Sequence, residues 1–161
     1  MPRTAWGALR WLALGGLLDA ATAAGAPAAL RPQAAESLSL ELVLPAQVPA
    51  GAPVTITLRG RNGTQRPLDL YLRGRTTTFD VVVAEPGGEV VWRRLEGEII
   101  PTIVQLRTLA PGEQFELEAA WDQRTREGSL LEPGEYTARG LLLVEGEPLE
   151  TPLASFRILA P

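Results

Sequence analysis

Three side-chain types that carry much of enzyme chemistry are missing from this chain of 161 residues, which contains no cysteine, no histidine and no lysine. The lack of cysteine and histidine excludes disulfides, thiolate nucleophiles, Ser-His pairs and haem ligation, and it removes the usual zinc ligands. The lack of lysine excludes Schiff bases, Ser-Lys dyads and a phosphate-loop lysine. Classical nucleophilic enzymes are therefore excluded, and we predict a non-enzymatic protein with no catalytic residues, no bound metal and no cofactor. A hydrolase that uses two carboxylates is an alternative, but no motif organises the acidic residues.

Positive charge and long apolar runs are also scarce. The 15 basic residues, all arginine, are outnumbered by 19 acidic residues, which gives a formal net charge of −4. They are mixed along the sequence, whereas a nucleic-acid partner calls for a clustered basic face. Beyond the first 28 residues no apolar stretch approaches the 18 residues of a membrane helix. We expect neither a nucleic-acid partner nor a membrane span.

The N-terminal segment follows the order of a secretory signal. Arg3 and Arg10 precede the apolar run from Trp11 to Leu18, and an alanine-rich stretch then offers several small-residue cleavage points. We interpret residues 1–28 as a signal peptide, residues 29–35 as a short linker and residues 36–160 as the folded domain. The alternative is a disordered alanine-rich leader. Signal cleavage would make the product an exported protein, either secreted or in the cell envelope.

From residue 38 onward, apolar residues recur with a period of two. Leu38, Leu40 and Leu42 alternate with Ser39 and Glu41, which is typical of a half-buried strand. Similar runs begin at residues 54, 68, 79, 90, 104, 115, 136 and 155, with proline and glycine turns between them. No window shows a helical period. The pattern predicts one all-β domain of eight or nine antiparallel strands, a sandwich or barrel.

Two local patterns refine this prediction. The run from Phe79 to Ala84 is apolar on both faces except for Asp80, so we expect a central strand. The segments "LAPGE" and "LEPGE" each place a Pro-Gly pair before an apolar run, and this pair favours a type II turn because glycine supplies the positive φ at its second central position.

The order and spacing of several segments resemble the BsuPI family of intracellular proteinase inhibitors. These segments are "TFDVVV", a glycine-rich turn, "EVVW", "LAPGE", "WDQ" and "LEPGEYTARG", and the likeness covers residues 40–158. The resemblance implies an immunoglobulin-like β-sandwich and inhibition of serine proteinases. The chain departs from it in two ways: it carries the signal-like leader, and "GEIIP" has Ile99 and Ile100 where the resemblance leads us to expect an aromatic residue.

Aromatic and acidic residues suggest structural roles first. Tyr136 comes directly after the turn predicted at Pro133-Gly134, and in an immunoglobulin-like sandwich this position favours a tyrosine corner over a ligand contact. Trp121 and Trp92 are in phase with apolar neighbours, which favours core packing over a sugar-stacking platform. The carboxylates of Asp122, Glu127 and Glu132 lack the spacing of a calcium loop, so we interpret them as solvated.

Two segments are candidates for contact with a proteinase. Residues 123–132 connect two predicted strands with a long loop, in which Arg124 or Arg126 would suit a trypsin-like pocket and Leu130 or Leu131 a subtilisin-like pocket. This loop can equally be a plain solvated connection. The rival segment, residues 95–101, contains Ile99 and Ile100. We predict an exported inhibitor of a serine-type proteinase, with an extracellular or envelope interaction module lacking inhibitory activity as the alternative.

Overall fold

The computed structural model describes residues 37–160, and every regular element in this range is a β-strand. The nine longer runs anticipated from the sequence are all strands. In chain order the strands are β1 (Leu38–Val43), β2 (Gln47–Pro49), β3 (Val54–Asn62), β4 (Leu68–Arg73), β5 (Phe79–Ala84), β6 (Val90–Arg93), β7 (Val104–Leu109), β8 (Gln114–Trp121), β9 (Gly134–Leu142), β10 (Leu149–Glu150) and β11 (Ala154–Leu159).

The strands form two facing sheets and a separate two-stranded ribbon. One sheet has the order β1-β3-β8, and the other has the order β2-β11-β9-β5-β6 with β10 also paired to β9. The ribbon is β4 paired with β7, and a bridge between Leu72 and Val144 connects it to the chain after β9. This arrangement confirms the all-β, immunoglobulin-like sandwich.

The core lies between the inner faces of the two sheets. Strand β3 contributes Ile56 and Leu58, both completely buried, and β5 contributes Val81 and Val83 from the opposite sheet. The sheets approach closely where β9 carries Gly140, because a Cβ atom there would lie 2.8 Å from Leu58 Cδ1. The missing side chain at Gly140 leaves space for Leu58 from the opposite sheet, and the two layers can therefore pack closely.

Two short strands were not anticipated, which raises the count from eight or nine to eleven. Strand β2 has three residues and β10 has two, too few for an alternating pattern to be visible. Strand β2 also pairs with β11 in parallel, whereas the sequence pattern predicts antiparallel strands throughout.

The two Pro-Gly pairs behave differently. Gly112 has a φ of 75°, and the Glu113 N–H donates to the Ala110 carbonyl across the turn, as predicted. The prediction is wrong for Gly134, which begins β9 and pairs with Ile158 of β11. Its extended conformation is required because the neighbouring strand continues the sheet at this point.

Strand β5 is central, as predicted, because it pairs with β9 on one side and β6 on the other. A register shift between Val83 and Ala84 interrupts the β5–β6 hairpin and changes the phase of β6. As a result Val90 is 54% exposed, although Trp92 points inward and contacts the core. Val90 and Trp92 therefore do not lie on the same face of β6, in contrast to the prediction, because a β-bulge shifts the alternation of side chains.

Candidate functional site

The loop of residues 123–132 is a small hairpin in its own right. A bridge pairs Arg124 with Leu130, and the Thr125 N–H donates to the Ser129 carbonyl at 2.8 Å. The Leu131 N–H donates to the carbonyl of residue 123 at 2.9 Å and closes the hairpin at its base. The loop is thus held by its own backbone hydrogen bonds, which restricts its freedom to adapt to a partner.

Gln123 anchors this hairpin to the rest of the sandwich. Its side chain is completely buried, donates to the carbonyls of Pro49 and Ala52, and accepts from the Gly51 N–H at 3.0 Å. Its φ is 60°, in the left-handed region that few residues other than glycine adopt. Sequence analysis did not single out this residue, and its only signal was the "WDQ" segment.

Three buried side chains hold the two ends of the hairpin. Trp121 stacks on Trp92 with 5.2 Å between ring centroids, and its indole N–H donates to the Arg124 carbonyl. Leu131 is 9% exposed, so it belongs to the core and is unavailable as the contact residue considered above. Tyr136 is 6% exposed and donates its hydroxyl to the Glu132 carbonyl at 2.8 Å. This bond is the predicted tyrosine corner, and the core positions of Trp121 and Tyr136 are confirmed.

Burial and neighbouring charges affect the ionisation of Tyr136. Desolvation of the phenol, together with the nearby carboxylates of Glu85 and Glu132, raises the pKa of Tyr136 above its ordinary value of 10.0. Both influences disfavour the phenolate, which is the charged form. The neutral hydroxyl is the state that donates to the backbone and closes the corner.

The remaining candidates in this hairpin are exposed and engage neighbouring groups. Arg124 donates from Nη1 to the Gly128 carbonyl at 2.6 Å, within its own turn. Arg126 forms an ion pair with Glu96 at 2.7 Å. Leu130 is 50% exposed. Both arginine side chains therefore have a polar partner nearby, although the Arg126 side chain is 67% exposed.

The second segment begins at a buried carboxylate. Asp80 is 1% exposed; its Oδ1 accepts from the Leu95 N–H at 3.0 Å, and its Oδ2 accepts from Arg93 Nε at 2.5 Å. The guanidinium of Arg94 lies 4.5 Å from the centre of the Phe79 ring and donates to the carbonyl of the same residue. The polar residue in the apolar β5 run therefore fixes where the chain leaves β6.

After this anchor the chain turns and then continues without regular secondary structure. Gly97 has a φ of 77°, and the Glu98 N–H donates to the Leu95 carbonyl to close the turn. Residues 98–103 then belong to no strand, and Ile99 is 91% exposed. At the far end the Ile103 carbonyl accepts from the Gly74 N–H at 2.8 Å, where β7 begins. The segment is thus exposed in its middle and fixed at both ends.

The structure brings the two candidate segments together. The Arg126–Glu96 ion pair joins the tip of the 123–132 hairpin to the turn that leads into residues 98–103. Ile99 and Ile100 lie on this second segment, where the first is almost fully exposed and the second is half-buried. An exposed ion pair contributes at most about 1 kcal/mol to stability, so this contact supports the turn only weakly.

Residues 37–160 show no cluster of three or more side chains suited to binding a metal ion. Asp122, Glu127 and Glu132 are exposed to solvent in this part of the chain. In the same residues there is also no helix with the length and apolar character needed to cross a bilayer. The main feature of this region is an exposed apolar segment that is fixed at both ends on an all-β sandwich.

The sequence profile of the BsuPI family, described as intracellular proteinase inhibitor, matches residues 42–147. The match covers more than half of the chain, and the protein belongs to this family. It includes both candidate segments and the tyrosine corner, but it ends before β10 and β11. No match was found among curated protein sequences.

Similar solved structures are distant in sequence. They include the Pseudomonas fluorescens alkylpurine DNA glycosylase AlkC bound to DNA, with 17% identity and a TM-score of 0.44 over 77% of this chain and 31% of the glycosylase. The sporulation control protein Spo0M of Bacillus subtilis has 14% identity and a TM-score of 0.42, with 77% and 49% covered. The CARDB domain of Pyrococcus furiosus PF1109 has 14% identity and a TM-score of 0.38, with 77% and 87% covered. The chain thus spans less than half of the glycosylase.

Proposed function

We propose that this protein inhibits a serine-type proteinase and that residues 98–103 form the contact, with Ile99 as the residue that enters the substrate pocket. The observation that carries this proposal is the 91% exposure of an isoleucine in a segment without regular structure that is fixed at both ends. Family membership supports proteinase inhibition in general. The type of proteinase and the contacting residues are our inference from the surface.

The way in which residues 98–103 are held at both ends suits contact with a proteinase. A proteinase binds its substrates as extended chain, and an inhibitor gains affinity when its segment is already close to that shape, because less conformational freedom is lost on binding. Here Asp80 holds one end through the Leu95 N–H, and the Gly74–Ile103 hydrogen bond holds the other. A large apolar side chain between them has no intramolecular packing to lose.

The chemistry of the segment favours an apolar substrate pocket. Ile99 and its partly exposed neighbour Ile100 match the aliphatic pocket of a subtilisin-like enzyme better than the acidic pocket of a trypsin-like enzyme. Arg124 and Arg126, the two residues that would suit a trypsin-like pocket, already contact the Gly128 carbonyl and Glu96, respectively. We therefore expect inhibition of subtilisin-like enzymes in preference to trypsin-like enzymes.

The test compares inhibition by the full chain and by two single variants against both enzyme classes. Ile99→Asp should raise the inhibition constant by about 30-fold or more, as expected for loss of a central contact. Leu130→Asp is the matched control, because Leu130 is also exposed but lies on the other segment. Loss of inhibition with Leu130→Asp and none with Ile99→Asp would assign the contact to the 123–132 hairpin.

A second candidate function is an interaction module without inhibitory activity. Tyr71 and Leu106 are register partners on the outer face of the β4–β7 ribbon, where they are 50% and 60% exposed. Neighbouring apolar side chains on one exposed face are a common feature of protein-binding surfaces. Failure of the chain to inhibit any member of either enzyme class would favour this second function.

The exported location is also a proposal. It rests on the signal-like order of residues 1–28, which lie outside the described residues, and the family description contains the word intracellular. Mass spectrometry of the protein recovered outside the cytoplasm should give an N-terminus between residues 21 and 29. Recovery of the exported protein with an intact Met1 would refute signal cleavage.

A further inference from the structure

Strand β6 is a free edge of the larger sheet in the described part of the chain. It pairs with β5 on one side and with no strand among residues 37–160 on the other. The Arg94 N–H donates to the Val81 carbonyl of β5. Along an antiparallel strand, the N–H and C=O groups of successive residues point to opposite sides, so those of Arg93 point away from β5 to the open side. Val91 has no register partner on β5 because of the bulge. An unpaired edge of this kind is a template for another strand.

A groove of about 570 Å³ runs beside this edge. Strand β6 forms one wall, including Val91, and Thr125 and Glu127 of the hairpin tip form the other. The Thr125 hydroxyl is buried and has no hydrogen-bond partner in the described structure. A second hollow of about 350 Å³ shares Val82 and Val90 with the groove and extends the apolar surface across the sheet.

The arginine side chains at the end of β6 do not block this edge. The pair Arg93-Arg94 in the sequence favours a role as edge-strand charges, and arginines at an edge often block pairing with other strands. In the structure Arg93 instead neutralises Asp80, and Arg94 lies over the Phe79 ring. Both guanidinium groups are directed to partners on β5, so neither is free to repel an incoming strand.

The charge that remains at the groove is negative. Arg93 is paired with Asp80 and Arg126 with Glu96, whereas Glu89 and Glu127 take part in no ion pair among the described residues. Both unpaired carboxylates are exposed. An extended segment that carries arginine or lysine between apolar residues would complement both the charge and the valine side chains.

We propose that the free edge of β6 binds an extended basic and apolar segment of a partner protein, which adds a strand to the sheet between β6 and the Thr125–Glu127 turn. The backbone of the added strand would pair with the open side of β6. Its apolar side chains would contact Val90 and Val91, and its basic side chains would meet Glu89 and Glu127. This site is separate from Ile99 and does not depend on the inhibitory role proposed above.

The probe is a fluorescein-labelled synthetic peptide of sequence TRVTVRVT, and its acidic counterpart TEVTVEVT is the control. Fluorescence anisotropy with the full chain should give saturable binding of the basic peptide and at least tenfold weaker binding of the acidic one. The double variant Glu89→Arg with Glu127→Arg should weaken binding of the basic peptide at least tenfold. Glu118→Arg is the matched control and should leave binding unchanged, because Glu118 is an exposed carboxylate on β8 that forms no ion pair within residues 37–160.

Amide NMR spectra of the full chain, recorded with and without the basic peptide, locate the site. The proposal requires the largest shifts at the backbone amides of Val91 and Arg93. Absence of saturable binding, equal affinity in all variants, or shifts concentrated on another strand would each overturn it. A chain that is dimeric by sedimentation and becomes monomeric in the double variant would also overturn it, because a second copy would then occupy the edge.

Discussion

At the scale of single residues, Trp121 connects the core to the candidate site. It is 2% exposed, stacks on Trp92 and meets Phe156 edge-on at 6.1 Å between ring centroids. These three rings join the ends of strands from both sheets. The same residue that packs in the core therefore also contacts the hairpin that follows it, through its indole N–H.

Trp121→Ala should lower the free energy of unfolding by about 3 to 5 kcal/mol, because it removes a large buried ring and leaves a cavity. Denaturant unfolding measures this change. Trp121→Phe is the control and should have a smaller effect, since it keeps an aromatic ring in the same space. A loss below about 1 kcal/mol for the alanine variant would contradict the core role of this residue.

Tyr136 predicts a specific dependence of stability on pH. Its pKa is raised in the folded state, so the unfolded chain loses the phenolic proton at a lower pH than the folded chain. The resulting stabilisation is fully present below pH 10.0, the ordinary value, and is lost as pH rises through the folded pKa. Tyr136→Phe should remove this part of the alkaline decline in unfolding free energy.

The measurement is urea unfolding from pH 8 to pH 11 of the wild-type chain and two variants. At neutral pH, Tyr136→Phe should cost about 1 kcal/mol through loss of the corner hydrogen bond. Tyr71→Phe is the matched control, because Tyr71 is the other tyrosine of the chain and lies exposed on β4. An alkaline decline that is unchanged in Tyr136→Phe would contradict the assignment.

At the scale of elements, the 123–132 hairpin is a structural unit as well as a connection. Gln123 makes three hydrogen bonds to the turn between β2 and β3, and Leu131 contributes to the core. Removal of the hairpin would therefore take away both contacts together. Its length reflects this anchoring role, in addition to any contact made by its tip.

Replacement of residues 123–132 by an Asn-Gly turn should lower the free energy of unfolding by about 3 to 5 kcal/mol, since it removes buried hydrogen bonds and a buried leucine. Thermal and denaturant unfolding measure this loss. The single variant Arg126→Ala keeps both anchors and should cost less than about 1 kcal/mol, as expected for an exposed ion pair. A shortened variant as stable as the wild type would show that the anchors contribute little.

At the scale of the whole molecule, the fold extends beyond the part that defines the family. The matched region ends at residue 147, but β11 lies between β2 and β9 in the larger sheet. Phe156 and Ile158 of β11 are each 1% exposed and belong to the core. Without the residues beyond 147, the core would lack Phe156 and Ile158, and β2 and β9 would each lack the strand that pairs with them.

Truncation of the chain after Glu147 should abolish cooperative unfolding, because it removes β10, β11 and their buried side chains. Circular dichroism melting and amide NMR dispersion measure the outcome. The full chain with Arg157→Ala is the control, since Arg157 is an exposed residue of β11 that pairs with Glu135. A cooperative melt of the truncated chain would show that β11 is dispensable.

Local sequence patterns determined the strands of this protein and several of its core residues. Alternation identified the nine longer strands, and phase placed Trp121 in the core, because the side chains of a strand alternate strictly between its two faces. The position of Tyr136 just after Pro133-Gly134 identified the tyrosine corner, although this pair lies at the start of β9 and does not form the predicted turn. Each of these inferences depends on residues close together in the chain, where backbone geometry alone fixes the relation between them.

Only the tertiary structure decided how the candidate segments are held and where they meet. Gln123 bonds to a turn 71 to 74 residues away, and Arg126 pairs with Glu96, 30 residues away. Gly134 takes a strand conformation because β11 lies beside it, although the same dipeptide at Pro111-Gly112 forms a turn. Such relations depend on which strands become neighbours, and that is set by burial of the whole core and not by any local pattern.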